Sequence, residues 1–227
     1  MDIESYQEEV HLDWITLLAY AAVRGGGEFD DKSLKYIDEI AAELTSQTVS
    51  REDLADKYKY FNYYYEAYGA VLSGMLGEYE IEEETKEGVV KWNRQYGLKA
   101  YSPIAAGFDY QHYDDFGAAR SFGYRRPHLG HDMMGLVGTP IIATESGYVE
   151  ALGWNRYGGW RIGIRSFDKK RYYYYAHLRQ NRPYAEGLKE GDVVTAGDVI
   201  GYMGHTGYSD TETVSYTHLT LPTKRIV

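Results

Sequence analysis

The stretch TPIIATESGYVEALGWNRYGGWRIGIRSFDKKRYYYYAHL, residues 139–178, decides the fold class of this protein. Short runs rich in β-branched and aromatic residues alternate with Gly-containing or charged turns, and no long helical pattern interrupts them. The predicted strands in this stretch and just after it are Pro140–Thr144, Gly147–Leu152, Trp160–Ser166, Arg171–His177 and Asp198–Met203. Short strands joined by tight turns predict a mostly antiparallel β-domain.

The N-terminal part of the sequence instead shows the 3.6-residue period of amphipathic helices. Val10–Arg24 predicts a first helix, which the glycines at 25–27 end. A second helix is predicted from apolar residues at helical spacing, namely Leu34, Ile37, Ala41 and Leu44. A third segment opens with a capping-box pattern at Ser50 and runs to about Leu76. We therefore predict a helical subdomain at residues 1–77 and an α+β fold class.

The acidic stretch EYEIEEETKE, residues 78–87, lies between these two regions. A run of like charges is usually a solvated face or a linker. We therefore expect an acidic linker and connection over residues 78–101, followed by the β-domain at residues 102–213.

Composition narrows the chemistry that the chain can perform. Its 227 residues carry a formal net charge of −10, which argues against nucleic acid or anionic lipid as the main partner. Cysteine is absent, so a metal ion would need His, Asp or Glu ligands. No apolar run is long enough to predict a membrane-spanning helix, and no signal-peptide pattern is visible at the N-terminus.

The segment HLGHD, residues 128–132, carries the main chemical hypothesis. His128 and Asp132 supply an imidazole and a carboxylate four positions apart, and both groups suit a borderline cation such as zinc. Spacing alone favours the simpler alternative of a surface histidine in a loop with an unrelated aspartate. The flanking sequence favours the metal-ligand hypothesis instead, because SFGYR precedes the pair at residues 121–125 and GTPIIA follows it at residues 138–143.

This order of motifs resembles the M23 family, the LytM/lysostaphin-type zinc metallopeptidases. The resemblance implies that His128 and Asp132 are zinc ligands within a β-domain of peptidase type. The segment YAHL, residues 175–178, is similar to the strand end that supplies an active-site histidine without metal contact in that family. His177 is therefore the expected catalytic residue, orienting water or stabilising charge on the substrate. The alternative is a half-buried strand histidine.

The glycine-rich segment at residues 190–204 also resembles the M23 pattern, and we interpret it as scaffold. Biotinyl and lipoyl carrier domains share this pattern, but they carry a modified lysine that usually stands beside methionine. No such Met-Lys pair occurs in this sequence. A carrier domain is therefore a distant third hypothesis.

The resemblance fails near the C-terminus. The family continues into an H-x-H strand whose second histidine is the third zinc ligand, whereas this chain has His218-Leu219-Thr220. Threonine is a poor zinc ligand, so we expect weak metal binding and little activity from the chain as written. Residues 214–223 read like the translation of a sequencing adapter. We therefore expect the native, incomplete domain to end near Thr213 and residues 214–227 to be a non-native tail.

The resemblance implies zinc-dependent hydrolysis of peptide bonds in bacterial peptidoglycan. The expected partners are peptidoglycan peptides, and the expected location is outside the cytoplasm or in the cell envelope. A metal-free, M23-like module for binding or assembly in the envelope is the alternative hypothesis. His131 is expected to point away from the metal or to support its ligands, and His205 to lie beside the expected groove, where it could touch substrate. His11 and His112 have no informative context. Surface placement is the favoured prediction for all four histidines.

Overall fold

Five helices fill the first part of the chain, and capping residues fix where they begin and end. The computed structural model describes residues 1–84, 88–208 and 219–222. Its helices are α1 (Asp2–Ser5), α2 (Trp14–Gly25), α3 (Ser33–Thr45), α4 (Arg51–Lys57) and α5 (Phe61–Leu72). At the start of α2, the Asp13 carboxylate accepts hydrogen bonds from the backbone N–H groups of Ile15 and Thr16. Gly26 ends this helix in the left-handed conformation, with φ 68°.

The segment after Ser50 forms two helices rather than the single long element that the sequence predicts. The capping box of Ser50 and Asp53 is present and starts α4. Tyr58 then adopts an extended backbone, with φ −118° and ψ 108°. Its ring packs edge-on against Tyr20 of α2, with centroids 5.6 Å apart. Tertiary packing of one tyrosine therefore interrupts a segment whose local pattern favours a continuous helix.

The helices enclose a small core of their own. Apolar side chains from α2, α3, α4 and α5 meet there, and its fully buried members are Ala19, Ile40, Leu54 and Phe61. Burial of each large side chain contributes roughly 1.5–3 kcal/mol to folding.

The acidic stretch forms a strand, not the predicted linker. Strand β1 (Leu76–Glu84) pairs antiparallel with β2 (Val90–Leu98). Glu80 lies opposite Arg94 and Glu83 opposite Lys91, while Glu78 forms an ion pair with Arg94. Cross-strand pairing of opposite charges stabilises this strand pair. Residues 85–87 of the stretch lie outside the described residues.

The rest of the chain is built from short strands. They are β3 (Tyr110–Tyr113), β4 (Ala119–Arg120), β5 (Arg126–Pro127), β6 (Gly130–Gly135), β7 (Pro140–Ile142), β8 (Gly147–Asn155), β9 (Gly159–Ser166), β10 (Tyr172–Leu178), β11 (Val193–Val194), β12 (Val199–Tyr202) and β13 (Leu219–Pro222). The five strands predicted from the sequence correspond to β7–β10 and β12. Helices at the N-terminus and antiparallel strands after them confirm the α+β fold class.

Within the described residues, the β-unit contains four sheets, and every strand pair in them is antiparallel. Their strand orders are β10-β9-β8-β11, β13-β6-β3, β12-β7 and β4-β5. The core between them is aliphatic, with Ile141, Ile162, Ile164, Leu178 and Ile200 fully buried. By its contacts the chain divides into two compact units, Met1–Lys99 and Ala100–Val227. Within the described residues, no helix has the length and apolar character needed to cross a membrane.

Tyr175 is the largest fully buried side chain, and it lies in the core of the β-unit. Its hydroxyl accepts a hydrogen bond of 2.8 Å from the backbone N–H of Thr144. Burial raises the pKa of Tyr175 to about 12, because the charged phenolate would lose its hydration there. The folded state therefore favours the protonated, neutral hydroxyl of Tyr175.

Substitution Tyr175→Phe tests this arrangement. At pH 7 we expect a loss of about 1–3 kcal/mol in unfolding free energy, because the Thr144 N–H is left buried without its acceptor. The unfolded tyrosine titrates near its ordinary pKa of 10 and the folded one near 12. The wild-type chain should therefore lose stability as pH rises across this window, with a share of roughly 2–3 kcal/mol that the variant lacks. Urea unfolding between pH 8 and 12 measures both effects, and parallel pH curves would contradict the second.

Candidate metal centre

His128 and Asp132 lie side by side in the structure, as the resemblance of the surrounding motifs implies. His128 lies between β5 and β6, and Asp132 lies on β6; their side chains are only 7% and 2% exposed. His128 Nε2 is 3.4 Å from Asp132 Oδ1. Alternation along β6 directs the intervening His131 away from Asp132. The His131 Nε2 atom instead lies 2.6 Å from His112 Nδ1.

A second aspartate, Asp115, completes the cluster. It lies in the connection between β3 and β4, and its Oδ1 atom is 3.1 Å from His128 Nδ1. Potential ligand atoms of Asp115, His128 and Asp132 all lie within 4.8 Å of one another, and all three residues are buried. The sequence analysis missed Asp115 because its exposed neighbour Asp114 looks equivalent in the sequence and no spacing rule connects either to His128.

One guanidinium, that of Arg120, holds both carboxylates. Its Nη2 atom donates to Asp115 Oδ2 and, over 3.0 Å, to Asp132 Oδ2. Burial by itself would raise the pKa of Asp115, but the hydrogen bond from Arg120 and the charge of His128 outweigh it and lower that pKa. Burial likewise opposes the ionised form of Arg120, yet hydrogen bonding to Asp115 raises its pKa. Asp115 and Arg120 are therefore both charged near neutral pH.

The donor atoms of this cluster suit a divalent cation. Among the described residues, His128 Nε2 and Asp115 Oδ1 are buried without a hydrogen-bond partner. An unpaired buried polar atom costs about 1–3 kcal/mol, so such atoms call for an explanation. Two ligand atoms that each lie about 2.1 Å from a tetrahedral zinc ion are about 3.4 Å apart. The observed separation of His128 Nε2 and Asp132 Oδ1 is also 3.4 Å.

His177 occupies a bulge near the end of β10. The pairing of β10 with β9 shifts between Tyr175 and Leu178, and His177 has a positive φ of 58°. A left-handed backbone at a non-glycine residue costs about 1–3 kcal/mol and is found preferentially at functional sites. The backbone N–H of His177 donates to the carbonyl of Gly158 over 2.6 Å. The bulge therefore redirects this side chain relative to the regular alternation of β10.

The ring of His177 is fixed by its contacts. Its Nδ1 atom lies 2.5 Å from the carbonyl oxygen of Thr206, which can only accept, so Nδ1 carries a proton. Tyr208 stacks on the ring with centroids 5.1 Å apart.

Close backbone packing surrounds His177. Gly159 has φ 63°, and a Cβ atom added there would lie 2.5 Å or less from the backbone C and O of Thr206. A Cβ atom at Gly207, with φ 104°, would lie 2.9 Å from His177 Nδ1. Only glycine fits at these two positions without shifting Thr206 or His177.

The prediction that the other four histidines lie at the surface is confirmed only for two of them. His11 and His112 are exposed, whereas His131 and His205 are half-buried. His11 contacts Asp2 over 2.9 Å. His218 lies outside the described residues.

Comparison with known proteins assigns the part of the chain that carries these residues to a family. The sequence profile of peptidase family M23 matches residues 126–224, which include His128, Asp132 and His177. This region of the chain belongs to peptidase family M23. Asp115 and Arg120 precede the matched region of the M23 domain.

Relatives of the M23 domain include named endopeptidases. An L-Ala–D-Glu endopeptidase of Bacillus subtilis is 45% identical over 106 residues, which cover 47% of this chain and 31% of that protein. The solved catalytic domain of lysostaphin from Staphylococcus simulans is 34% identical and covers 49% of this chain and 77% of that one, with a TM-score of 0.41. The chain spans only 16% to 31% of the length of the curated relatives.

One solved structure matches over most of the chain. It is a candidate glycyl-glycine endopeptidase LytM of Ruminococcus gnavus, with a TM-score of 0.50 and 24% identity. The alignment covers 91% of this chain and 70% of that one. This likeness supports the fold.

Substitution Arg120→Met tests whether the guanidinium holds the cluster together. We expect a loss of about 3–5 kcal/mol in unfolding free energy, because two buried carboxylates lose their counterion. Arg165→Met is the control, since its pair with the more exposed Glu150 should contribute only about 0–1 kcal/mol. Urea unfolding, with exchange of the β6 amide protons assigning the transition to the M23 domain, gives both values. Equal losses in the two variants would contradict the assigned role of Arg120.

Proposed function

We propose that the M23 domain is built as a zinc-dependent endopeptidase acting on peptide bonds of bacterial peptidoglycan. In this proposal His128 and Asp132 are metal ligands and His177 is the catalytic residue. The observation that carries it is the buried, unpartnered Nε2 atom of His128, 3.4 Å from a carboxylate oxygen of Asp132. Membership of family M23 and the names of the relatives support the reaction class. A peptidoglycan substrate implies action outside the cytoplasm or in the cell envelope.

The side chains of the site have different roles in the proposed reaction. A zinc ion held by His128 Nε2 and the Asp132 carboxylate would polarise the scissile carbonyl and lower the pKa of bound water. Arg120 keeps Asp132 ionised and oriented through its hydrogen bond of 3.0 Å. In neutral His177, the proton on Nδ1 leaves Nε2 as the acceptor, so Nε2 can take a proton from water and return it to the leaving amine. The Thr206 carbonyl and the Tyr208 ring keep the imidazole in that orientation.

At the position of the expected third zinc ligand, this chain departs from the family pattern. Strand β13 pairs with β6 in a register that puts Thr220 directly opposite Asp132. The resemblance to the family implies a histidine at this position. Catalytic zinc sites usually hold the ion with three protein ligands, and threonine does not replace imidazole. The proposal therefore includes weak zinc binding and little activity for the chain with Thr220. A non-native origin of residues 214–227 remains part of this proposal, to be tested on the genomic sequence.

Substitution Thr220→His tests the completeness of the site. We expect zinc affinity to rise by more than about 100-fold, because a ligand contributes more than the supporting contacts around it. Hydrolysis of purified peptidoglycan should appear with the substitution and disappear with a chelator. Adding His128→Ala to the same chain is the matched control and should abolish both gains. Tight stoichiometric zinc binding by the chain with Thr220 would contradict the proposal.

Substitution His177→Ala, made in the chain that carries Thr220→His, separates catalysis from metal binding. We expect the hydrolysis rate to fall by about 10²–10⁴-fold, as for loss of a general acid–base group, while zinc affinity stays within a few-fold. His112→Ala is the control, because His112 is an exposed histidine on β3. Zinc titration and peptide-release assays on the same preparations give the two readouts. A parallel loss of zinc binding would argue for a ligand role of His177 instead.

A metal-free module for binding or assembly in the envelope is the second candidate function. The observation that favours it is the threonine opposite Asp132, where the third metal ligand is expected. Such a module would bind peptidoglycan fragments equally with and without chelator and would not hydrolyse them after Thr220→His. The buried donor atoms of His128 and Asp132 favour the enzyme over this candidate.

A further inference from the structure

Arg126 is a positively charged side chain that lies among three tyrosine rings beside the candidate site. It belongs to β5 and precedes His128 by two residues. Its guanidinium carbon lies 4.7 Å from the ring centroid of Tyr157, 5.4 Å from that of Tyr124 and 5.7 Å from that of Tyr208. Such contacts engage the flat faces of a guanidinium, whereas its N–H donors point outwards at the edge. The rings therefore fix the position of the charge without occupying its donors.

The guanidinium of Arg126 has more donors than partners. Of the five N–H groups of an arginine, one at Nη1 donates to the carbonyl of Phe122 over 3.0 Å. Within the described residues, no carboxylate forms an ion pair with Arg126. Three other arginines of the β-unit do form such pairs, namely Arg120, Arg165 and Arg171. No nitrogen atom of Arg126 is buried without a partner in this part of the chain, so its remaining donors are open to solvent.

The register of β4 and β5 places two arginines opposite each other. Arg126 pairs with Arg120, so both side chains leave the same face of the strand pair. Like charges directly opposite each other destabilise a strand pair. The charge of Arg120 is balanced by Asp115 and Asp132, but no described carboxylate balances that of Arg126. An anion bound at Arg126 would relieve this repulsion.

Tyr208 contacts both Arg126 and the proposed catalytic residue. Its ring stacks on His177 with centroids 5.1 Å apart, and the guanidinium of Arg126 lies 5.7 Å from the same ring. One residue of an extended peptide spans about 3.3–3.6 Å, so a carboxylate held by Arg126 belongs to a residue within about three positions of a peptide bond at His177. Arg126 is therefore within reach of a peptide bound in the candidate site.

The turn between β8 and β9 positions Tyr157, the closest of the three rings to Arg126. Asn155 Oδ1 accepts hydrogen bonds from the N–H groups of Tyr157, over 2.9 Å, and Gly158, over 2.7 Å. The carbonyl of Gly158 in turn accepts the N–H of His177 over 2.6 Å. One turn thus supports both the ring beneath the guanidinium and the backbone of the proposed catalytic residue, which preorganises their relative position.

We infer that Arg126 binds a carboxylate of the peptide substrate and so makes the M23 domain select acidic peptidoglycan peptides over neutral ones. A carboxylate fits this position because the edge of a guanidinium offers two parallel N–H donors to its two oxygens. The formal net charge of −10 gives the chain no general attraction for anionic peptides, so selection depends on this local charge. The inference rests on the proposed function, since it names the chemical class of substrate for the same site.

Binding of soluble peptide fragments of peptidoglycan is the first readout, measured by isothermal titration on the full chain. The fragments are used with free carboxylates and after conversion of these carboxylates to methylamides. We expect the free form to bind about 10–100-fold more tightly, as for a hydrogen-bonded contact between charged groups. Arg126→Met should remove this preference. Arg126→Lys should keep part of it, because the charge remains while the paired donors are lost.

Arg165→Met is the matched control. The guanidinium of Arg165 also lies 4.7 Å from a tyrosine ring, that of Tyr172, but it pairs with Glu150. Tyr172 begins β10, and His177 lies five residues further along it, a distance of about 16 Å in a strand. The preference for free carboxylates should be unchanged in this variant. Circular dichroism checks the folding of Arg126→Met, and Arg126→Lys retains a cation among the rings if the methionine variant does not fold.

Hydrolysis of the same fragments is the second readout, in the chain that carries Thr220→His. For fragments with free carboxylates, Arg126→Met should raise KM by about 10–100-fold and leave kcat within a few-fold, because the lost contact contributes to substrate binding and not to the chemical step. For the methylamide fragments, KM should be the same with and without Arg126→Met.

The outcomes separate this inference from the function on which it rests. Equal binding of the two forms by the unsubstituted chain would overturn the role of Arg126. An equal loss for both forms in Arg126→Met would also overturn it and would make the arginine a structural support of the rings. If Thr220→His still confers hydrolysis in either case, the proposed function stands. If hydrolysis does not appear while the preference for free carboxylates depends on Arg126, the proposed function fails and the carboxylate site stands.

Discussion

The pairing of one guanidinium with two buried carboxylates is the interaction on which the candidate site depends. Asp115 and Asp132 are almost fully removed from water, and Arg120 contacts both. Two buried negative charges cannot persist with one positive charge unless the rest is compensated. The unpartnered Nε2 atom of His128, beside these carboxylates, suits a bound cation.

Strain and close packing also surround His177, the proposed catalytic residue. His177 is held with a positive φ in a bulge, and its ring is fixed by the Thr206 carbonyl and by Tyr208. Gly159 and Gly207 let these backbones approach closely. In the proposed enzyme, a histidine held in this way would need little rearrangement before reaction. The rigid sheet core therefore positions groups that are themselves held in unfavourable conformations.

Much of the fold follows from local sequence signals. Period-two runs between glycine-rich turns predict β7–β10 and β12, and the cap at Ser50 predicts the start of α4. Two features of the fold do not follow from such local signals. At the break between α4 and α5 Tyr58 packs against Tyr20, and basic residues of β2 lie across from residues 78–84 of the acidic stretch. Both depend on partners distant in sequence, which single-segment patterns cannot supply.

The sequence by itself determined the α+β class and the likeness to M23 peptidases, and that likeness predicted that His128 and Asp132 approach each other. It could do so because strand alternation and the order of the motifs around HLGHD can be read along the chain. Only the tertiary structure brought Asp115, Arg120 and Tyr208 to the site. These residues approach His128 and His177 through loops and strand register, and their energetic role arises from burial. Burial at a given position is set by the whole fold, and so no short pattern in the sequence encodes it.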